Sequence, residues 1–155
     1  MKYTLLLMLP MLALAGPPTE APAGAERKLI AAVIIAEAGG EDMKGMKAVY
    51  EVIWQRGVER KRSLAKVVTR PKQFSCLNRT TTTALIRSMS RHPRYKWVHD
   101  ELLKHPPLTV HTCPAHLLAL ATNRANHYHA VGVTPYWAKG EVGVTIGNHR
   151  FYKLK

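Results

Sequence analysis

An apolar stretch that ends in a carboxylate and two glycines constrains the fold of this chain more than any other segment. Between Glu26 and Ala38 the apolar residues recur at spacings of three and four, which places them on one face of a helix: Leu29, Ile30, Val33, Ile34 and Ala38. Gly39 and Gly40 follow at once, and glycine is the residue that most readily adopts the left-handed conformation of a helix C-cap. The pattern therefore predicts a helix over 26–38 that ends at the two glycines.

Glu37 lies in the last turn of this predicted helix, which is an unusual place for a carboxylate. The negative end of the helix dipole disfavours the ionised form by a few tenths to about 1 kcal/mol. Apolar neighbours act in the same direction, because they remove water from the charge. A glutamate that keeps its proton near neutral pH can serve as a general acid. The alternative is a solvated glutamate at a helix end, without a chemical role.

The N-terminal segment has the pattern of a leader. A basic start, a short apolar run and Ala13-Leu14-Ala15 predict a secretory signal peptide over residues 1–15. The apolar run is short for a bilayer span, so a permanent anchor is the weaker interpretation. Residues 16–25 are rich in Pro, Gly and Ala and are expected to form a flexible linker. Residues 26–155 then suffice for a single domain.

The charge balance is strongly basic. The chain has 23 Lys and Arg against 10 Asp and Glu, a formal net charge of +13, and loss of Lys2 with the leader leaves about +12. Such a surface attracts polyanions, and export favours anionic polymers of the cell envelope over nucleic acid. We therefore expect a secreted or periplasmic monomer that binds no nucleic acid and has no stable membrane insertion after signal cleavage.

Two cysteines, Cys76 and Cys113, remain in the chain. In an oxidising compartment an even number of cysteines suggests one disulfide. Two unrelated buried thiols are the alternative, because the sequence does not show whether the sulfur atoms meet.

The rest of the chain is predicted to be mostly helical. Helices are expected over 42–56 with Gly57 as a stop, over 64–69 after an N-capping Ser63, over 80–90 and 95–104, and from Cys113-Pro114 onward. The stretch 126–137 is expected to be loop, and segments 142–146 and 149–152 alternate around Gly147-Asn148 as in a hairpin. The fold class is α+β, mostly α, with a small C-terminal β-hairpin.

Four separated segments resemble one family pattern in the same order. They are Ala-Glu-Ala-Gly-Gly-Glu at 36–41, Pro-Lys-Gln-Phe-Ser-Cys at 71–76, Asn-His-Tyr-His at 126–129, and Pro-Tyr-Trp-Ala with Ile-Gly-Asn-His-Arg-Phe-Tyr between 135 and 152. The chain thus resembles cell wall hydrolases of the spore cortex-lytic enzyme type. The resemblance implies that 26–155 is a lysozyme-like catalytic domain that acts on the glycan strands of peptidoglycan, similar to lytic transglycosylases.

The resemblance also implies roles for individual residues. The family's general acid corresponds to Glu37, and the residues that line the glycan cleft correspond to His127, Tyr128, Tyr136 and Trp137. Asn126 stands where many relatives have threonine, which leaves the hydrogen-bonding role of that position open. Two polar loop residues, Gln73 and Ser75, are further candidates for substrate binding, although turn structure explains them equally well. No cofactor is implied.

Cleavage of the β-1,4 bond between N-acetylmuramic acid and N-acetylglucosamine needs a proton on the leaving oxygen. A hydrolase adds a second carboxylate, roughly 5 Å away for retention or roughly 6.5–9.5 Å away for inversion. Glu41 is the evident candidate for this second carboxylate. Alternatively, Glu41 tunes Glu37, or it is a structural residue at the start of the second helix. Other acidic residues are few, which favours transglycosylation, where the muramic acid 6-hydroxyl attacks and no carboxylate activates water.

Two other functions remain open at this point. The chain has eight histidines, which makes a metal-dependent amidase one alternative function. The sequence lacks His-Glu-x-x-His, however, and it has no evident pair of metal ligands beside a carboxylate base. A metal site is therefore not predicted. A non-catalytic binder of anionic envelope polymers would explain the charge but leaves the Glu-Ala-Gly-Gly-Glu segment without a role.

Overall fold

The computed structural model describes residues 21–104, 122 and 124–155. The predicted signal peptide, most of the linker at 16–25, and the helix expected from Cys113-Pro114 lie outside these residues. The last residues of the predicted linker are already helical, since helix α1 begins at Gly24.

Helix α1, Gly24–Ala38, is the centre of the domain. The predicted helix is confirmed, but it is buried on nearly all sides and not on one face, because four other helices pack around it. Its ending differs from the prediction as well. Gly39 has right-handed helical angles, φ −64° and ψ −22°, and its N–H donates to the carbonyl oxygen of Ile35 at 2.8 Å. Glycine is needed here for space, since a Cβ atom would lie 2.5 Å from that same oxygen.

Helix α2, Met43–Arg60, begins at Asp42, whose carboxylate accepts the N–H of Gly45 at 2.8 Å. The predicted stop at Gly57 is wrong, because the helix continues to Arg60 and ends at Lys61, which takes the left-handed conformation with φ 49°. Gly57 is buried inside the helix, where tertiary packing outweighs its low helix propensity. Arg56 therefore lies in the helix and not at its end.

Three shorter helices complete the α-helical part of the described chain. They are α3, Leu64–Val68, with Ser63 as its N-cap; α4, Thr82–Met89; and α5, Tyr95–Asp100. Single 3₁₀ turns follow at Ser75–Leu77, Leu102–Lys104 and Tyr136–Ala138. No helix in these residues is long and apolar enough to cross a bilayer.

The C-terminal part forms a three-stranded antiparallel sheet in the order β1-β3-β2. The strands are β1, His127–Ala130; β2, Gly143–Ile146; and β3, His149–Tyr152. The predicted hairpin is confirmed as β2 and β3. The prediction of loop is wrong for 127–130, because this segment pairs with β3 in the register His127 to Tyr152. The overall α+β, mostly α fold class is confirmed.

Asn126 connects the sheet to helix α2. Its carbonyl oxygen accepts the Nε of Arg56 at 2.6 Å, and its Nδ2 donates to Glu59 at 3.0 Å and to the carbonyl oxygen of Leu154 at 2.9 Å. Its Oδ1 accepts the N–H of Leu154 at 2.9 Å. These bonds tie the start of β1 and the residues after β3 to helix α2.

Candidate active site

A pocket of about 440 Å³ opens where the C-terminal end of α1 meets the loop before Ser75 and strands β1 and β3. Four of the residues predicted for the site line it: Glu37, Gln73, Ser75 and Tyr128. They come from three of the four segments that carry the family resemblance. The fold therefore brings together residues that are up to 91 positions apart in the chain.

The carboxylate of Glu37 is held at both oxygens. Its Oε1 accepts the hydroxyl of Ser75 and the backbone N–H of Cys76, each at 3.2 Å. Its Oε2 accepts the hydroxyl of Tyr128 at 3.1 Å. Glu37 is partly buried and lines the pocket, so one carboxylate is both oriented and open to a ligand.

Tyr128 supports this arrangement from strand β1. Burial, and then the nearby charge of Glu37, raise the pKa of its hydroxyl well above the ordinary value of 10.0. The hydroxyl consequently keeps its proton and can donate to Glu37. The ring packs 5.5 Å from Phe151 and 5.3 Å from His149 between ring centroids, which fixes its position in the pocket wall.

Arg56 is a site residue that the sequence analysis missed. It lines the pocket from α2, is only 5% exposed, and places its guanidinium 5.3 Å above the ring of Phe74. Its Nη1 is buried without a hydrogen-bond partner in the described part of the chain. Burial lowers the pKa of this guanidinium to about 10, so it stays positively charged at neutral pH and interacts with Glu37.

Glu41 lies behind the pocket and not in its wall. It is 7% exposed, and its two carboxylate oxygens accept the backbone N–H of Asn148 at 3.1 and 3.2 Å. It thereby anchors the β2–β3 turn to the connection between α1 and α2. His149, which follows this turn, does line the pocket, and its Nδ1 is 3.3 Å from Glu41 Oε1. His149 stands in a segment that carried the resemblance, which was the available signal for it.

Two of the other predicted cleft residues, His127 and Trp137, belong to an aromatic group beside the pocket. The ring of Trp137 lies 5.3 Å from that of His127, with His129 and Tyr152 also near it, at 5.7 and 5.6 Å. Burial and the charges of nearby arginines lower the pKa of His127. Tyr136 does not join this group, because 91% of its surface is exposed. The side chain of Asn126 is fully engaged by Glu59, Leu154 and the ring of His127.

The loop residues differ in their contacts. Gln73 accepts the Nη1 of Arg60 at 2.8 Å through its Oε1, so its amide is held at the edge of the pocket. Cys76 has a free thiol, and burial together with the charge of Glu37 raises the pKa of that thiol to about 12. Cys113 lies outside the described residues, and the structure gives no support to the predicted disulfide.

Metal ligands do not cluster within residues 21–104 and 124–155. No group of three or more His, Cys, Asp or Glu side chains there is arranged to hold a metal ion. Three of the eight histidines, His105, His111 and His116, lie outside the described residues.

The fold and the pocket define an α+β domain in which one oriented carboxylate faces a pocket at the edge of a small sheet. A family model described as Cell Wall Hydrolase matches residues 40–152, and the chain belongs to this family. The predicted family is confirmed, and the domain is accordingly a hydrolase of the cell wall. The match begins at Gly40, so Glu37 lies just before it. No match was found among the curated proteins or among the solved structures.

Proposed function

We propose that this protein is a lytic transglycosylase that cuts the β-1,4 bond between N-acetylmuramic acid and N-acetylglucosamine in peptidoglycan, with Glu37 as the general acid and base. The observation that carries the proposal is the arrangement at Glu37, where three donors orient a carboxyl group that lines a pocket. Family membership supplies the cell wall as the setting.

The contacts suggest how Glu37 would deliver its proton. Ser75 and Cys76 both donate to Oε1, which leaves Oε2 as the oxygen that carries the proton. The partner of Oε2 is the hydroxyl of Tyr128, and a hydroxyl can accept as well as donate. Once the proton has moved to the glycosidic oxygen, the same three donors stabilise the carboxylate that remains. The charge of Arg56 stabilises it further.

The acidic residues around the pocket favour transglycosylation over hydrolysis. Among the described residues that line the pocket, Glu37 is the one carboxylate, because Glu41 is bound to the β2–β3 turn. A classical retaining or inverting hydrolase needs a second carboxylate in the cleft. Attack by the C6 hydroxyl of muramic acid on its own C1 needs none, and it releases a 1,6-anhydro sugar.

The same proposal includes where the enzyme acts and what it binds. An exported domain would meet peptidoglycan outside the cytoplasm, after removal of residues 1–15 as a signal peptide. Its net charge, +13 for the full chain and about +12 without Lys2, would hold it on anionic envelope polymers as a monomer.

The test is mass spectrometry of the muropeptides that purified peptidoglycan releases when it is incubated with the protein. Wild-type protein is expected to release 1,6-anhydromuramic ends, and Glu37→Gln is expected to release none. Glu141→Gln is the matched control, because it removes an exposed carboxylate that does not line the pocket. Reducing ends in place of anhydro ends would refute transglycosylation. Free stem peptides, or undiminished products from Glu37→Gln, would refute the glycosidic mechanism itself.

A further inference from the structure

A lysine that the proposed chemistry of Glu37 does not use lies at the pocket. Lys72 lines the pocket from the loop before the buried Phe74, and its side chain is exposed. Its backbone has the left-handed conformation, with φ 62°. Lys72 belongs to none of the ion pairs in the described part of the chain. Its ammonium group is therefore available to an anion that enters the pocket.

Gln73 adds hydrogen-bond donors next to Lys72. Its Oε1 accepts Nη1 of Arg60 at 2.8 Å. A guanidinium can only donate, so this contact determines which end of the amide is the oxygen and which is the nitrogen. Among the described residues the Nε2 group of Gln73 has no partner. Because Gln73 lines the pocket, its two N–H groups remain available to a ligand.

Arg56 gives the same pocket a buried positive charge. It lines the pocket and is 5% exposed, and its Nη1 has no hydrogen-bond partner in the described part of the chain. A buried charge without a full set of partners is costly, which indicates that an anion belongs near it. Further cations extend the positive region, since burial, and then the charge of Arg70, lower the pKa of Arg60.

Acidic side chains do little to neutralise this region. Glu37 is the one carboxylate among the described residues that line the pocket, and both of its oxygens already accept hydrogen bonds. The charge of Glu59 reaches Arg60, but the carboxylate of Glu59 accepts Asn126 and Lys153. Positive charge combined with spare N–H donors is the chemistry that binds a carboxylate.

We propose that Lys72 and the amide of Gln73 form a subsite for a carboxylate of the substrate, with Arg56 as a buried charge that supports it. This inference rests on the function proposed above, and it names the substrate class as glycan strands that carry a free carboxylate near the cleaved bond. In peptidoglycan that group is a carboxylate of the stem peptide or, where the peptide has been removed, the lactyl carboxylate of muramic acid.

The experiment measures kcat and KM for release of anhydro ends from soluble glycan strands. Lys72→Met is expected to raise KM by about 5–20-fold, between the values for an exposed ion pair and for a hydrogen bond to a charged group. We expect kcat to change by less than about threefold, because substrate and transition state share this contact. Lys72→Arg keeps the charge and is expected to raise KM by less than about threefold. Lys61→Met is the matched control, since Lys61 is also exposed and left-handed, with φ 49°, but does not line the pocket.

The substrate is changed in parallel with the protein. Amidation of the strand carboxylates with a carbodiimide and ammonia is expected to raise the KM of the wild type by the same factor. It should cause little further loss in Lys72→Met, because both changes remove one interaction. Strands with intact stem peptides and strands stripped by an amidase are compared, and the set in which KM depends on Lys72 identifies the stem or the lactyl carboxylate. A KM for Lys72→Met no higher than that for Lys61→Met on both sets, or an undiminished loss on amidated strands, would overturn the proposal.

Binding without turnover separates this inference from the proposed function. Calorimetry gives the Kd of the Glu37→Gln protein for the same strands, with and without Lys72→Met. A Kd that rises on amidation and with Lys72→Met, in a protein whose wild type releases no anhydro ends, would refute transglycosylation and support the carboxylate subsite. Release of anhydro ends together with a Kd that neither change affects would refute the subsite alone.

Discussion

Replacement of Gly147 by alanine tests the contact between Glu41 and the β2–β3 turn. Gly147 has φ +56°, and a Cβ atom there would lie 1.9 Å from Glu41 Oε2 and 2.8 Å from its Cδ. A solvated carboxylate would rotate away at little cost. Glu41 is 7% exposed, and it holds the N–H of Asn148 with both oxygens, so any rotation breaks these bonds.

The expected loss of stability has two parts. The left-handed conformation costs a non-glycine residue about 1–2 kcal/mol. Loss of a hydrogen bond to a buried charged group costs about 1.5–3 kcal/mol more. We therefore expect Gly147→Ala to lower the free energy of unfolding by about 2.5–5 kcal/mol, and the melting temperature by on the order of 10 °C.

Gly140 supplies the control for the first part alone. It has φ +83°, and a Cβ atom there would have nothing within 4 Å. Gly140→Ala is therefore expected to cost only about 1–2 kcal/mol. Both variants would be measured by chemical unfolding against the wild-type protein, together with Glu41→Ala and the double variant Glu41→Ala/Gly147→Ala. The double variant should be more stable than the sum of the single changes indicates, because the clash is gone. Equal losses for Gly147→Ala and Gly140→Ala, or additive losses in the double variant, would refute the reasoning.

Three further predictions follow from individual contacts. Tyr128→Phe removes the donor to Glu37 Oε2 and is expected to lower kcat by about 10–100-fold while the free energy of unfolding changes by less than about 1.5 kcal/mol; unchanged kcat would count against the role of this bond. Asn126→Ala removes the partners of the part-buried backbone N–H and C=O of Leu154 and is expected to lower the free energy of unfolding, measured in urea, by about 2–3 kcal/mol; a loss below about 0.5 kcal/mol would contradict this expectation. In a Cys113→Ser chain, the folded Cys76 thiol, with its pKa raised from 9.0 to about 12, should alkylate slowly at pH 9 and faster towards pH 12. The stability that this thiol contributes is present below pH 9 and is lost as pH rises through about 12, because the unfolded chain releases the proton first; alkylation at pH 9 as fast as in the unfolded chain would refute the shift.

The central helix and its carboxylate could be predicted because their causes are local. The spacing of the apolar residues in 26–38 and the two glycines after Ala38 predict a helix with Glu37 in its last turn, and α1 ends at Ala38. Its burial on nearly all sides could not be predicted in the same way. A one-sided apolar pattern does not reveal that α2, α3, α4 and α5 surround a helix.

Strand β1 shows why part of the site was out of reach. The segment His127–Ala130 alternates weakly and has no hairpin partner beside it, so it was predicted as loop. It becomes a strand because β3, more than twenty residues later, supplies its hydrogen bonds. The same pairing places Tyr128 beside Glu37 and His149, which sequence spacing alone does not indicate.

The sequence by itself determined the helical class of the domain, the hairpin around Gly147-Asn148, and the cell wall hydrolase family, because each of these depends on short-range periodicity or on a local motif. Only the tertiary structure decided which carboxylate faces the pocket. Glu37 and Glu41 are four residues apart and chemically alike. Yet the fold places Glu37 in the pocket wall, at the end of α1, and buries Glu41, which binds the N–H of Asn148. Burial, long-range hydrogen bonds and the orientation of Arg56 and His149 arise only when distant segments pack together, and so they have no signature in the order of the residues.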